Sequence, residues 1–170
     1  MPELPDLAVF AENLHACLQG RKVLSVECEG AVRLNTSPER LRDSLCDTSI
    51  ESVRRDGKEI ALTFSNQATL FVHLMLKGKF FMTPDPSTVD SRALTLGLGD
   101  DSLVVSDTDP KAHVALKLNP PPSSVPDALE VDGAYLRRKI SERPRLRVKA
   151  FLIDQTILRG IGNAYADEIL

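Results

Sequence analysis

Apolar positions recur first at helical spacing and then in short alternating runs. Within residues 6–18, DLAVFAENLHACL, residues Leu7, Phe10, Leu14 and Leu18 fall at i, i+3, i+7 and i+11, which makes one apolar stripe on a helix. Pro5 just before it and Gly20 just after it suit the two ends. From residue 22 the period drops to two. KVLSVECEG, SIESVRRD, EIALTFS, ATLFVHLML, GKFFMTP, ALTLGLGD, SLVVSD and HVALKLN are rich in Val, Leu, Ile, Phe and Thr, and each is bounded by Gly, Asn, Asp or Pro. SNQA and GDDS read as hairpin turns, and PERLRDSL as a short helix between strands. Eight short strands at close spacing predict an antiparallel sandwich or barrel.

The pattern then breaks. NPPPSSVPD, at 119–127, carries four prolines, which rule out a helix or a central strand. Helical spacing resumes in DGAYLRRKISER, with Asp132 as its cap, and in RVKAFLIDQTI, which ends by Arg159-Gly160. A third helix starts near Asn163 and runs to Leu170, so the chain stops inside an apolar helix, which implies a fragment or a shortened homologue. The expected organisation is a domain over 1–118, a linker over 119–131 and a helical region over 132–170.

Composition narrows the class of function. A chain of 170 residues, 42% hydrophobic and 26% charged, has an ordinary soluble composition. No apolar run approaches the ~20 residues that span a bilayer, and acids stand where a signal peptide carries Lys or Arg. Cys17, Cys28 and Cys46 are odd in number, scattered and without CxxC spacing, so neither a disulfide framework nor a zinc site is expected. These features predict a reduced, intracellular chain with no membrane partner. The net charge of -3 argues mildly against nucleic acid, although a local basic patch suffices for binding. Basic residues do cluster at Arg54-Arg55 with Lys58, at Lys77 with Lys79, and from Arg137 to Lys149.

PELPD at 2–6 and FLIDQTILRGIGNAYADEIL at 151–170 resemble the start and the helix–two-turn–helix segment of the formamidopyrimidine-DNA glycosylase and endonuclease VIII family. Between them, RRDGKEIALTF and VHLMLKGKF are similar to that family's lysine strand and His-Leu strand, in the same order. The resemblance implies an α+β protein: an N-terminal helix and an eight-stranded antiparallel β-sandwich, followed by the start of an all-α helix–two-turn–helix domain. It implies a monomeric base-excision repair glycosylase with AP lyase activity on damaged double-stranded DNA, nucleoid-associated, or nuclear in a eukaryote. It implies no cofactor within these residues, zinc belonging to a finger that would follow residue 170.

The residues that match carry roles by resemblance. Trimming of Met1 would leave Pro2 as a secondary amine, and an α-amino group titrates near ~8, so a useful fraction is neutral. Glu3 beside it is the expected general acid for opening the sugar, a task that calls for a carboxyl raised by burial. Asp6 stands where the family usually has Glu, with the same charge on a shorter stem. Lys58 matches a lysine that contacts phosphate near the lesion, and His73 a phosphate-contacting histidine. Gly160 and Gly162 permit a tight turn, and Gly162 and Asn163 with the following helix start are expected to grip flanking phosphates, with Lys149 nearby.

The wedge departs from the family. Its HLGMSG-like and DPRRFG-like segments read HLMLKG and DPKAHV in this sequence, which puts Leu76, Lys111 and His113 at the Met, Arg and Phe positions. Lysine cannot make the paired hydrogen bonds of arginine to an opposing cytosine, so opposite-base selectivity is expected to be weaker or different. Two rival classes follow: a damaged-DNA-binding homologue without catalysis, and a protein-interaction module on the same scaffold.

Overall fold

The computed structural model describes residues 1–109 and 111–170. Helix α1, Leu4–Leu18, begins with Pro5 in its first turn, where the missing N–H costs nothing. Its buried stripe is Leu7, Ala11, Leu14 and Leu18. Phe10, expected in that stripe, is half-buried and meets Phe80 edge-on, with ring centroids 6.5 Å apart and planes at 80°.

The eight expected strands form: β1 Ser25–Cys28, β3 Ile50–Asp56, β4 Glu59–Phe64, β5 Thr69–His73, β6 Gly78–Thr83, β7 Arg92–Gly97, β8 Ser102–Asp107 and β9 Ala115–Leu118. A ninth, β2 at Arg33–Leu34, runs parallel to β9. Two residues carry no alternation to read. The Asn35 side chain fixes them instead, since it donates to Leu118 O at 3.0 Å and accepts from Leu118 N at 2.8 Å. The short helix α2, Pro38–Leu45, is capped by Ser37.

The strands form two sheets in the orders β1-β7-β8-β6 and β2-β9-β5-β4-β3, antiparallel apart from the β2–β9 pair. Their inner faces enclose one core that includes Ile60, Leu62, Phe64, Leu70, Leu94, Leu96, Leu103 and Leu116, and α1 closes it against β3. The β5–β6 turn passes from one sheet to the other.

Beyond β9, Asn119 adopts φ +46 and the proline run follows. Helix α3, Gly133–Glu142, starts at Asp132, whose carboxylate accepts Tyr135 N–H at 2.7 Å. Helix α4 spans Val148–Ile153 and is shorter than its apolar pattern. The Asp154 carboxylate captures the N–H and hydroxyl of Thr156 and turns the chain before Ile157. Helix α5 is Asn163–Ile169. A second, small core gathers Phe151, Ile157, Leu158, Ile161 and Ala166. Among the described residues no helix is long and apolar enough to cross a membrane.

Candidate active site

Glu3 joins the two ends of the chain. It is 4% exposed, and its carboxylate accepts N–H bonds from Gly162 and Ala164 at 3.0 Å each and from Tyr165 at 3.1 Å. A helix start leaves its first N–H groups unpaired, and here a side chain 159 residues away in sequence fills that need. Gly162 is extended, with φ -119, so its requirement is spatial: a Cβ there would fall on the Glu3 carboxylate. Gly160, at φ +104, makes the turn before it. Gln155 staples that turn by accepting Gly160 N–H and donating to Ile161 O.

Three donors expected to face phosphate are therefore turned inward to Glu3. Asn163 keeps an exposed side chain at the first position of α5. Lys149 is bound to Asp167 at 2.6 Å, an ion pair across α4 and α5 that lies at the surface.

Pro2 is half-buried in a cleft of roughly 700 Å³, which it shares with Asp6, Phe10, Leu76, Lys77 and Phe80. Asp6 accepts the Glu3 N–H at 3.0 Å, so its carboxylate holds the first turn of α1 and the backbone beside Pro2. Leu76, 54% exposed, stands at the apex of the β5–β6 turn and overhangs the cleft.

Lys58 occupies the β3–β4 turn beside Gly57, which sits at φ +60. Burial pushes its ammonium below the usual 10.5, and the nearby Glu3 charge pulls it back up. Among the described residues no carboxylate pairs with it. Two ion pairs hold the turn from either side. Arg55 donates to Gly57 O at 3.0 Å and grips both oxygens of Asp127, at 2.6 and 2.8 Å. Arg159 pairs with Asp56, and its stem lies against Gly57, where a Cβ would sit 3.2 Å from Arg159 Cβ. Burial alone would raise the Asp56 and Asp127 carboxyls; the arginines outweigh it and hold both below the usual carboxylate range.

The basic cluster at 54–58 is consequently not an open patch. Arg55 is taken by Asp127, Arg54 shares the one Asp56 carboxylate with Arg159 and keeps an exposed side chain, and Lys58 alone of the three has no carboxylate partner among the described residues. Sequence reasoning did not find Asp127 or Arg159; the acidic and basic partners lie too far apart in sequence to suggest a pair.

His73 is half-buried at the end of β5, and its Nδ1 accepts Met75 N–H at 3.0 Å. The other wedge positions lie elsewhere. Lys111 is exposed, with its N–H on Asp109 at 2.8 Å. His113 lines a separate small cleft with Glu29, Arg92, Asp107 and Asp109. Pro110, within the same DPKAHV segment, lies outside the described residues. The three cysteines are free, and among the described residues no group of three His, Cys, Asp or Glu side chains could hold a metal ion.

Residues 1–120 match the family model described as formamidopyrimidine-DNA glycosylase N-terminal domain. The chain is 30% identical over 185 residues to the formamidopyrimidine-DNA glycosylase of Streptococcus pneumoniae strain R6, and 31% identical over 174 residues to that of Carboxydothermus hydrogenoformans. Each alignment covers all of this chain, which spans 65% of the length of either relative. Among solved structures, Lactococcus lactis formamidopyrimidine-DNA glycosylase bound non-covalently to DNA containing an AP site superposes with TM-score 0.86 at 24% identity, covering 99% of this chain and 68% of that one. A complex of inhibited LlFpg with DNA containing N7-benzyl-Fapy-dG gives 0.85 at 25%, covering 99% and 66%.

Proposed function

The chain belongs to the formamidopyrimidine-DNA glycosylase family, and from that premise we propose that it removes oxidised bases from damaged double-stranded DNA and then cleaves the abasic strand, with Pro2 as nucleophile. One observation carries the reading: the buried Glu3 carboxylate, next in sequence to Pro2, is seated on the start of α5, so the nucleophile and the helical region form one site. In this reading residues 1–118 form the catalytic domain, 119–131 the linker, and 132–170 part of the element that grips DNA.

Removal of Met1 makes Pro2 a secondary amine, whose lone pair attacks C1′ of the damaged nucleotide. The base leaves with the electrons of the glycosidic bond and takes a proton from solvent. The new ammonium gives its proton to Glu3, which passes it to O4′ as the C1′–O4′ bond breaks, and an iminium to Pro2 results. Loss of a 2′ proton sends electrons to C3′, and the 3′ phosphate departs; a second elimination releases the 5′ phosphate. Water then frees the sugar fragment and restores the amine. Protonation of either Glu3 oxygen weakens its bonds to α5, so proton transfer is coupled to the seating of that helix.

Around this centre, Lys58, His73 and Asn163 contact phosphates as donors, and Asp6 keeps the start of α1 in place. Leu76 enters the stack vacated by the extruded nucleotide, Lys111 and His113 face the opposite strand, and Gly162 and Lys149 shape the grip on the flanking backbone.

Borohydride reduction tests the reading. Full-length protein freed of Met1 is expected to form a covalent adduct with an abasic duplex, and acetylation of Pro2 is expected to abolish it. Salt-dependent binding without any adduct would leave a DNA-binding homologue, and absence of both would point to an interaction module.

A further inference from the structure

Resting on the glycosylase reading, we propose that His73 is a positioning residue for the wedge: its Nδ1 sets the backbone of the β5–β6 turn and with it the placement of Leu76, independently of any phosphate contact at the other ring nitrogen.

The turn has a rigid base and a free apex. Leu74, 1% exposed, is locked in the core, and its carbonyl accepts Gly78 N–H at 2.9 Å. Gly78 has no room for a side chain, since a Cβ would come within 2.9 Å of both Leu74 Cα and Val114 Cγ2. Between these points Met75 adopts φ +53, a left-handed conformation that a side-chain-bearing residue takes only under constraint. The constraint at its N–H is the His73 ring. Leu76 follows directly and projects over the cleft of Pro2.

Acceptance at Nδ1 also decides the tautomer: the ring proton resides on Nε2, which is thereby a donor. Burial holds the ring neutral, as this role requires, with Lys58 and Lys117 acting in the same direction and Glu59 against it. The register His73↔Ala115 fixes the backbone that carries the imidazole, and the ring ties that strand end to the turn through Met75 N–H.

Asn and Gln separate the two nitrogens. The amide oxygen of Asn can occupy the Nδ1 position, whereas the amide nitrogen of Gln reaches the Nε2 position. Full-length protein freed of Met1 and carrying His73→Asn, His73→Gln or His73→Ala is trapped with borohydride on an abasic duplex and on the same oligonucleotide single-stranded, where no stack needs opening. The duplex-to-single-strand ratio is expected to fall about tenfold in the Gln and Ala variants and to stay within about twofold of the parent in the Asn variant. 2-Aminopurine opposite the abasic site is expected to brighten on binding of the parent and the Asn variant only. Equal ratios in the Asn and Gln variants, or brightening in all of them, would overturn the proposal. If the parent traps neither substrate, the catalytic reading fails, and 2-aminopurine still decides the role of His73.

Discussion

The β-sandwich and the region after β9 are held by different forces. The sandwich closes over a continuous apolar core in which Leu18, Leu41, Ile60, Phe64 and Leu70 are wholly buried. In the helical region α3 has no buried residue, α4 contributes Phe151 and α5 contributes Ala166. Polar ties make up the difference: Glu3 on the start of α5, Arg55 on Asp127, Arg159 on Asp56, and the backbone ladder of Ala128 N–H to Arg159 O at 2.9 Å and Arg159 N–H to Pro126 O at 3.0 Å. Apolar burial makes a unit that stands by itself, whereas directional bonds make one whose position depends on a few partners. In this protein those partners are the neighbours of the proposed nucleophile and of Lys58, so the ties that seat the helices also shape the site.

The difference can be broken most strongly at Asp127. Asp127→Ala leaves the largely enclosed Arg55 guanidinium without its carboxylate, which costs about 3 kcal/mol. Hydrogen exchange is expected to accelerate across residues 126–170 while β4, β5 and β8 stay protected. Uniform acceleration through the sandwich would show that the two regions unfold together. Gly162→Ala comes next. Its methyl group collides with the Glu3 carboxylate and shifts α5, and a displacement of this kind is expected to lower turnover on a base-lesion duplex about 100-fold. Single-turnover kinetics check it, and a near-normal rate would mean that Glu3 needs no seat on α5.

The smallest effect belongs to the sandwich alone. Burial lowers the His73 pKa below its usual 6.5, so just under that pH the unfolded chain binds more protons than the folded one. This contribution is whole above pH 6.5 and is withdrawn as pH falls from there through the folded value. Urea denaturation of the parent is expected to show that slope, and His73→Asn to remove it; an unchanged slope would assign it to other groups.

Much of the architecture was legible because it is local. Alternation located the strands β1 and β3 to β9, and Asp132 marked a helix start that needs only its own next turn. The errors also have physical causes. The α4 pattern ran on through Ile157, but the Asp154 side chain outbid the helix for Thr156. Strand β2 depends on Asn35 reaching Leu118, a contact 83 residues apart. At the site, Pro2, Glu3, Lys58 and Asn163 were candidates through resemblance, whereas the inward turn of the Gly162, Ala164 and Tyr165 donors and the pairing of Arg55 with Asp127 were not visible.

By itself, then, the chain's order of residues determined where it alternates, where it coils and which residue types are present for amine and acid chemistry, since each depends on neighbours within a few positions. Only the tertiary structure decided which charges are spent on one another and which remain for an outside anion. Electrostatic pairing acts through space, and Arg55 meets Asp127 across 72 positions of sequence.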